Sequence, residues 1–217
     1  MKETLEITIP TSWGDITLRK WLELQTDLES YKDNEEAQTA SLFWHLCGIP
    51  ADKTRLLPKA SYTSIKGKLD AIPTPNSLEL QRLVTIGGVE YGFEPNLGEI
   101  AYGAYADLTQ YESAGIDKNW GKIMSILYRP VTKKMGDMYS IETYSGVADD
   151  TIWLDAGMDI HYGAMFFFLH TSMDLYKDTL NSMTNREEIP HSIRRILAES
   201  GKLILQFTNS QMAMLKK

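Results

Sequence analysis

The chain has 217 residues, of which 43% are hydrophobic and 24% are charged, so it can bury a sizeable core and is not expected to be disordered. Its 22 basic and 29 acidic residues give a formal net charge of −7, with no basic stretch that would favour general nucleic-acid binding. The single cysteine, Cys47, cannot pair within the chain, which indicates a reducing compartment. Residues 1–10 do not resemble a secretory signal, and the longest apolar run, Ala164 to Leu169, is too short to cross a bilayer, so we expect no membrane association.

The first part of the chain is predicted to hold two short strands followed by helices. Thr4 to Ile9 alternate polar and apolar side chains as a half-buried strand does, and Ile16 to Leu18 can return as a second strand. Thr17 is a candidate cap for a helix from about Leu18 to Leu28. A second helix is expected from about Glu35 to Leu46, and two short helices should lie on either side of Pro58.

A second hairpin is predicted further along the same part. Gly87-Gly88 suits a tight turn, because both residues adopt positive φ at little cost. Its apolar face is formed by Val84, Ile86, Val89, Tyr91 and Phe93. Two hairpins with helices between them predict a small α+β domain with a β-grasp-like sheet over residues 1–95.

After Pro95 the apolar residues recur at three- and four-residue spacing, which predicts a mainly α-helical domain over residues 96–217. Helices are expected over 96–114 and 119–127. An irregular connection with room for one extended segment is expected over 131–150. The strongest periodicity predicts one long helix from about Thr151 to Met183. A closing helix carrying Ile193, Leu197 and Phe207 should pack antiparallel to it, so the two would form a long helical hairpin.

We find no motif that would support catalysis, cofactor binding or metal binding. Phosphate loops, paired helical histidines, calcium loops and nucleophile elbows are all missing from the sequence. Asp155, Asp159 and His161 crowd the start of the long helix, where acidic charge near a helix N-terminus explains the two aspartates better than a metal site does. Cys47 lies near a helix C-terminus and is expected to be inert.

The aromatic and methionine side chains allow two interpretations, a core or an interface with a partner. Core is the preferred interpretation for Trp21, Trp44, Trp120 and Trp153, because the periodicity already places them there. Trp13 lies in a predicted turn, where it either covers the sheet or projects toward a partner. Methionines adapt to irregular surfaces, so part of the long helix is a candidate interface. The possible interface residues are Trp13, Met158, Tyr162, Met165, Phe166, Phe167 and Phe168.

Several short segments resemble a known class of proteins. They are Ile9-Pro10, Trp13-Gly14-Asp15-Ile16-Thr17-Leu18, Leu46-Cys47-Gly48-Ile49-Pro50, Ile126-Leu127-Tyr128-Arg129-Pro130-Val131 and Gly163-Ala164-Met165-Phe166-Phe167-Phe168. Together they resemble small proteins encoded among the virion genes of tailed bacteriophages, closest to those of the crAss-like phages of Bacteroides. The resemblance implies a virion component, a packaged cargo protein or a tail-assembly chaperone, and it carries over no functional residue.

Two classes of function follow from these observations. The first is a non-enzymatic phage virion protein, structural or cargo, of head or tail, or else a tail-assembly chaperone that is not retained. Its partners would be portal, tail or capsid proteins or further copies of itself, in the virion and in the host cytoplasm during assembly. The second is a small enzyme or ligand-binding protein with a dispersed site, for which Asp155, Asp159, His161 and Tyr144 are the candidates.

Overall fold

A computed structural model describes residues 7–183, which form eight α-helices and one four-stranded antiparallel sheet. The mixed α and β composition predicted from the sequence is therefore confirmed. In chain order the elements are α1 (Leu18–Ser30), α2 (Glu35–Cys47), α3 (Ala51–Thr54), α4 (Lys59–Asp70), β1 (Leu83–Ile86), β2 (Val89–Phe93), α5 (Tyr102–Ser113), α6 (Ile116–Leu127), β3 (Tyr128–Met135), β4 (Met138–Ile141), α7 (Thr151–Leu154) and α8 (Met158–Met183).

The chain divides into two compact units. Among the described residues, the first contains 7–75 together with Asp150–His161, and the second contains Asn76–Asp149 together with 162–183. The hairpin β1–β2, which the prediction assigned to a domain of residues 1–95, is part of the second unit. Helix α8 contributes its first turn to the first unit and its other residues to the second.

The helices of the first unit begin and end at the residues that local chemistry favours. The Thr17 side chain accepts a hydrogen bond from the Lys20 N–H at the start of α1, and Asn34 accepts one from the Ala37 N–H at the start of α2. Gly48 ends α2 in the left-handed conformation, with φ of 70°. Leu18, Trp21, Leu24 and Leu28 then form the buried stripe of α1.

Backbone hydrogen bonds between two distant segments, residues 16–18 and 156–158, fix the start of α1. Thr17 forms an isolated antiparallel bridge with Gly157, the Leu18 N–H donates to the Ala156 carbonyl and the Met158 N–H donates to the Ile16 carbonyl. Gly157 has no room for a side chain, because a Cβ there would lie 2.8 Å from the Gly14 carbonyl oxygen. The predicted strand Ile16 to Leu18 is therefore wrong, since only Thr17 is bridged and Leu18 already belongs to α1.

The sheet of the second unit has the order β1-β2-β3-β4. The hairpin β1–β2 is confirmed, with Gly87 and Gly88 at φ of 59° and 82° between the paired Ile86 and Val89. Strand β3 pairs with β2 at residues 128–130. It pairs with β4 from Val131 to Met135, with a register shift between Val131 and Lys133. The prediction for 131–150 allowed one extended segment in an irregular connection, whereas the structure has two paired strands in its first half, which form this second hairpin.

The finer predictions about the fold have mixed outcomes. The β-grasp-like sheet is not confirmed, because every strand of the described sheet comes from residues 83–141. Half of the predicted strand Thr4 to Ile9 and the whole closing helix lie outside the described residues, and residues 7–9 are not part of a strand. The helix predicted over 96–114 begins only at Tyr102, and the one predicted from Thr151 is interrupted between α7 and α8. Trp44 is half exposed rather than in the core, whereas Trp21, Trp120 and Trp153 are buried as predicted.

Candidate functional site

Most of the predicted interface residues are packed inside the described fold. Trp13 is buried, its ring contacts Trp21 edge to face, and its Nε1–H donates to the Pro73 carbonyl. The other buried members are Met158, Tyr162, Met165 and Phe166. Phe167 and Phe168 are partly exposed, so among the seven residues their rings offer surface that a partner could contact. The interface role of the set stays a prediction.

Phe167 and Phe168 pack against the sheet of the second unit. The ring of Phe93 on β2 lies 5.5 Å from the ring of Phe167, 6.0 Å from that of Phe168 and 5.1 Å from that of Tyr128 on β3. Edge-to-face aromatic contacts of this kind add roughly 0.5–1.5 kcal/mol to the free energy of area burial. The aromatic run on α8 therefore stabilises the second unit, whatever its remaining surface binds.

The four residues of the possible dispersed site are divided between the two units. Asp155, Asp159 and His161 belong to the first unit, and Tyr144 belongs to the second. Asp155 is exposed and accepts a hydrogen bond from Arg19 Nε at 2.9 Å, which holds the pKa of its carboxyl below the usual value. Asp159 lies in the first turn of α8, where a negative charge is favourable.

His161 is completely buried in the first unit. Its Nε2–H donates to the Trp153 carbonyl at 2.9 Å. Burial lowers its pKa to about 4, although this hydrogen bond and the charge of Asp159 oppose the shift. A neutral, enclosed imidazole that links α8 to α7 is typical of a structural histidine.

Because His161 is neutral in the folded chain, we expect acid to destabilise the first unit through this residue. Between about pH 6.5 and pH 4 the unfolded chain binds a proton at His161 that the folded chain does not, so stability falls as the pH falls through this range. The shift corresponds to a loss of about 3 kcal/mol. Urea unfolding near pH 7 and near pH 4.5 measures this loss in the wild type and in His161→Gln. Between the two pH values the variant should lose less unfolding free energy than the wild type does.

The matched control for this experiment is His170→Gln, since His170 is exposed. Its pH dependence should follow that of the wild type. Equal losses of stability in the wild type and in His161→Gln would contradict the buried neutral state of His161.

Tyr144 and Cys47 are also engaged in local structure. The Tyr144 hydroxyl donates to Asp107 on α5 at 2.5 Å, and burial together with this carboxylate raises the pKa of the phenol. Cys47 is buried, and burial raises the pKa of its thiol to about 11, which keeps it protonated and weakly nucleophilic at neutral pH. The expectation of an inert cysteine agrees with this environment.

The hairpin β3–β4 exposes a pair of methionines that the sequence analysis did not select. Met135 and Met138 pair across the turn at Gly136-Asp137, and both are more than 60% exposed. Residues 132–135 of β3 are exposed on both faces. In the sequence, this hairpin is indicated by Met135 and Met138 on either side of Gly136-Asp137, two residues that suit a turn. The prediction of an irregular connection did not use that signal.

A second exposed apolar surface lies on α5. Tyr102 is 84% exposed and Tyr105, one turn further, is 57% exposed. Tyr144 contacts a different side of the same helix, through Asp107. The exposed tyrosines are therefore available for contacts outside the described fold.

A surface cleft of about 420 Å³ lies in the second unit. One wall is the segment of residues 76–80 that precedes β1, and the other is α8. The residues that line it are Asn76, Ser77, Leu78, Glu79, Leu80, Phe167, His170, Thr171 and Asp174.

Within residues 7–183, no three His, Cys, Asp or Glu side chains are grouped so that they could hold a metal ion. None of the helices in the described part of the chain combines the length and the apolar character needed to cross a membrane. No protein-family model matches the chain, and comparisons with curated proteins and with solved structures also found no match.

Proposed function

We propose that the chain is a non-enzymatic bacteriophage virion protein, a structural or packaged component of head or tail that acts through protein–protein contacts. The class of protein, a phage virion protein, is proposed from the short segments that resemble such proteins. The observation that carries the contact role is the exposed pair Met135 and Met138 at the end of the hairpin β3–β4.

The hairpin is suited to contact because its turn end extends past Pro130, the last residue of β3 that pairs with β2. Strand β3 pairs with β2 only at residues 128–130, and beyond the register shift its side chains are exposed on both faces. A two-stranded hairpin gains little stability by itself, and methionine side chains adapt to irregular partner surfaces. Burying both methionines in a complex would remove apolar surface from water that the described fold leaves exposed.

The exposed tyrosines of α5 support the same role. Tyrosine is enriched at protein interfaces because it combines a large apolar ring with a polar hydroxyl group. Tyr102 and Tyr105 lie on one side of α5 and would give a second contact surface. With a net charge of −7, the chain is more suited to a basic protein partner than to nucleic acid.

The partners that we propose are portal, tail or capsid proteins of the same phage, or further copies of this chain. The protein would then be present in the virion and, during assembly, in the bacterial cytoplasm. The proposal includes a long helical hairpin, in which residues 193–214 pack antiparallel to α8, as their apolar spacing predicts. A tail-assembly chaperone would use the same exposed surfaces and then leave the particle.

Mass spectrometry of purified particles of the phage that encodes the chain tests the proposal. We expect the protein in the particles at a constant ratio to the capsid protein through successive purification steps. A phage protein that acts only in the host cell is the control and should be lost. Detection in the lysate but not in the particles would contradict the virion role.

A further inference from the structure

The hairpin β3–β4 has one face whose side chains are all exposed. Met135 pairs with Met138 across the turn, and Lys133, two residues before Met135, pairs with Ser140. Because side chains alternate along a strand and directly opposite residues share a side of the sheet, these four lie on one face. All four are exposed. We call Lys133, Met135, Met138 and Ser140 the methionine face.

The opposite face of the hairpin is held against β2. The Lys134 ammonium group donates to the Glu90 carboxylate at 2.8 Å, and the Tyr139 hydroxyl donates to the Phe93 carbonyl at 2.6 Å. Glu90 and Phe93 both belong to β2. These contacts fix the orientation of the hairpin, so the methionine face is turned away from β2 and towards solvent.

The same unit has a second exposed surface, on α5. Tyr102 is 84% exposed and Tyr105 is 57% exposed, and residues three positions apart lie on the same side of a helix. Residues 96–117, which contain α5, hold four acidic side chains and no basic one; the acidic residues are Glu99, Asp107, Glu112 and Asp117. The side of α5 that carries Tyr102 and Tyr105, called here the tyrosine surface, therefore lies in an acidic environment.

The methionine face and the tyrosine surface match in chemistry and in charge. A thioether sulfur makes favourable contacts with aromatic rings, and a lysine ammonium group is attracted to the face of a ring. Residues 128–141, which form the hairpin, hold three basic side chains and one acidic one, the reverse of the balance around α5. Lys133 has no ion pair in the described part of the chain, so its charge is available.

From this match we propose that the methionine face of one copy of the chain docks on the tyrosine surface of a second copy. Met135 and Met138 pack on the rings of Tyr102 and Tyr105, and the Lys133 ammonium group approaches the acidic residues around α5. The inference rests on the proposed contact function and names its partner as a second copy. The two fail separately, because a chain that stays monomeric can still be a virion component.

Sedimentation equilibrium of the full chain over a range of concentrations tests the contact. We expect the wild type to associate with itself. One double variant, Met135→Gln with Met138→Gln, removes the apolar part of the methionine face, and another, Tyr102→Gln with Tyr105→Gln, removes the tyrosine surface. Each should raise the dissociation constant at least about tenfold, which corresponds to about 1.4 kcal/mol. Circular dichroism checks that both variants keep the fold.

A mixture of the two double variants separates this contact from any other mode of association. Each variant keeps the surface that the other lacks, so an equimolar mixture should form pairs of one chain of each kind and nothing larger. In a charge test, Lys133→Glu should also weaken self-association of the chain. Lys59→Glu, an exposed lysine of the first unit, is the control and should leave it unchanged.

Three results would overturn the proposal. The first is a wild type that remains monomeric at every concentration. The second is self-association that persists in either double variant at the strength of the wild type. The third is a mixture of the two variants that forms no pairs, although both have the circular dichroism spectrum of the wild type.

Discussion

Replacing Gly163 with alanine is expected to destabilise the second unit by about 3 kcal/mol, the upper part of the usual range for overpacking. Gly163 lies in the interior of α8, where alanine at an open position would stabilise the helix by up to about 1 kcal/mol. At this position the new Cβ would lie 2.3 Å from the carbonyl oxygen of Glu79 and 3.0 Å from its carbonyl carbon. Main-chain atoms cannot move aside as the end of a flexible side chain can. Chemical unfolding followed by circular dichroism measures the change.

Gly103→Ala is the matched control in the same unit. Gly103 is also helical, but the Cβ there would meet its nearest neighbour, a ring carbon of Tyr144, at an ordinary 4.0 Å. The control should leave the stability unchanged or raise it slightly. If Gly163→Ala proved as stable as the wild type, the close packing of residues 76–80 on α8 would be contradicted, and with it the geometry of the cleft.

The largely buried ion pair between Arg129 and Glu94 should give the second large effect. Both side chains are only 11% exposed, and one guanidinium nitrogen of Arg129 contacts a Glu94 carboxylate oxygen. Arg129 also donates to the Ile126 carbonyl at the end of α6. Removing one partner leaves the other charge buried without compensation, so we expect Arg129→Met to cost about 3–5 kcal/mol.

A double-mutant cycle with Glu94→Gln separates the pair from its surroundings. The double variant should be clearly more stable than the sum of the two single effects predicts. The control cycle is Arg55→Met with Glu36→Gln, because that ion pair lies at the surface and both side chains are more than 60% exposed. We expect little coupling there, since exposed pairs contribute little to stability. Additive effects at Arg129 and Glu94 would show that their contact is not used in the folded chain.

The sequence predicts α1, α2 and the hairpin β1–β2 well, because each is set by local chemistry. Thr17 and Asn34 cap their helices through side-chain oxygens, Gly48 ends α2, and the turn at Gly87-Gly88 requires positive φ. These signals involve residues a few positions apart, and they act in the same way whatever the rest of the chain does.

The errors arose where distant contacts decide the structure. The apolar spacing continues from Leu154 to Met158, four positions apart, yet the helix breaks between them because residues 156–158 pair with residues 16–18. Strand β3 follows α6 without a loop and contains Pro130, which argues against a paired strand when only the sequence is known. Its pairing with Tyr91 on β2 could not be predicted from local signals.

The candidate site was predictable only in part. Acidic residues at the start of α8 were recognised, and Asp159 does lie in its first turn. The complete burial of His161 and the hydrogen bond of Tyr144 to Asp107 depend on packing between distant segments. The exposed methionines were missed because the residues around them show no alternation, since β3 is exposed on both faces near its end.

Cross-linking mass spectrometry on purified phage particles tests the central claim most directly. Lys133 is exposed on the hairpin β3–β4, two residues before Met135, and an amine-reactive linker can capture whatever the hairpin contacts. We predict reproducible cross-links from Lys133 to another virion protein or to a second copy of the chain. Cross-links from Lys133 that stay within one copy of the chain, in particles that contain it, would contradict a protein that works through contacts of this hairpin.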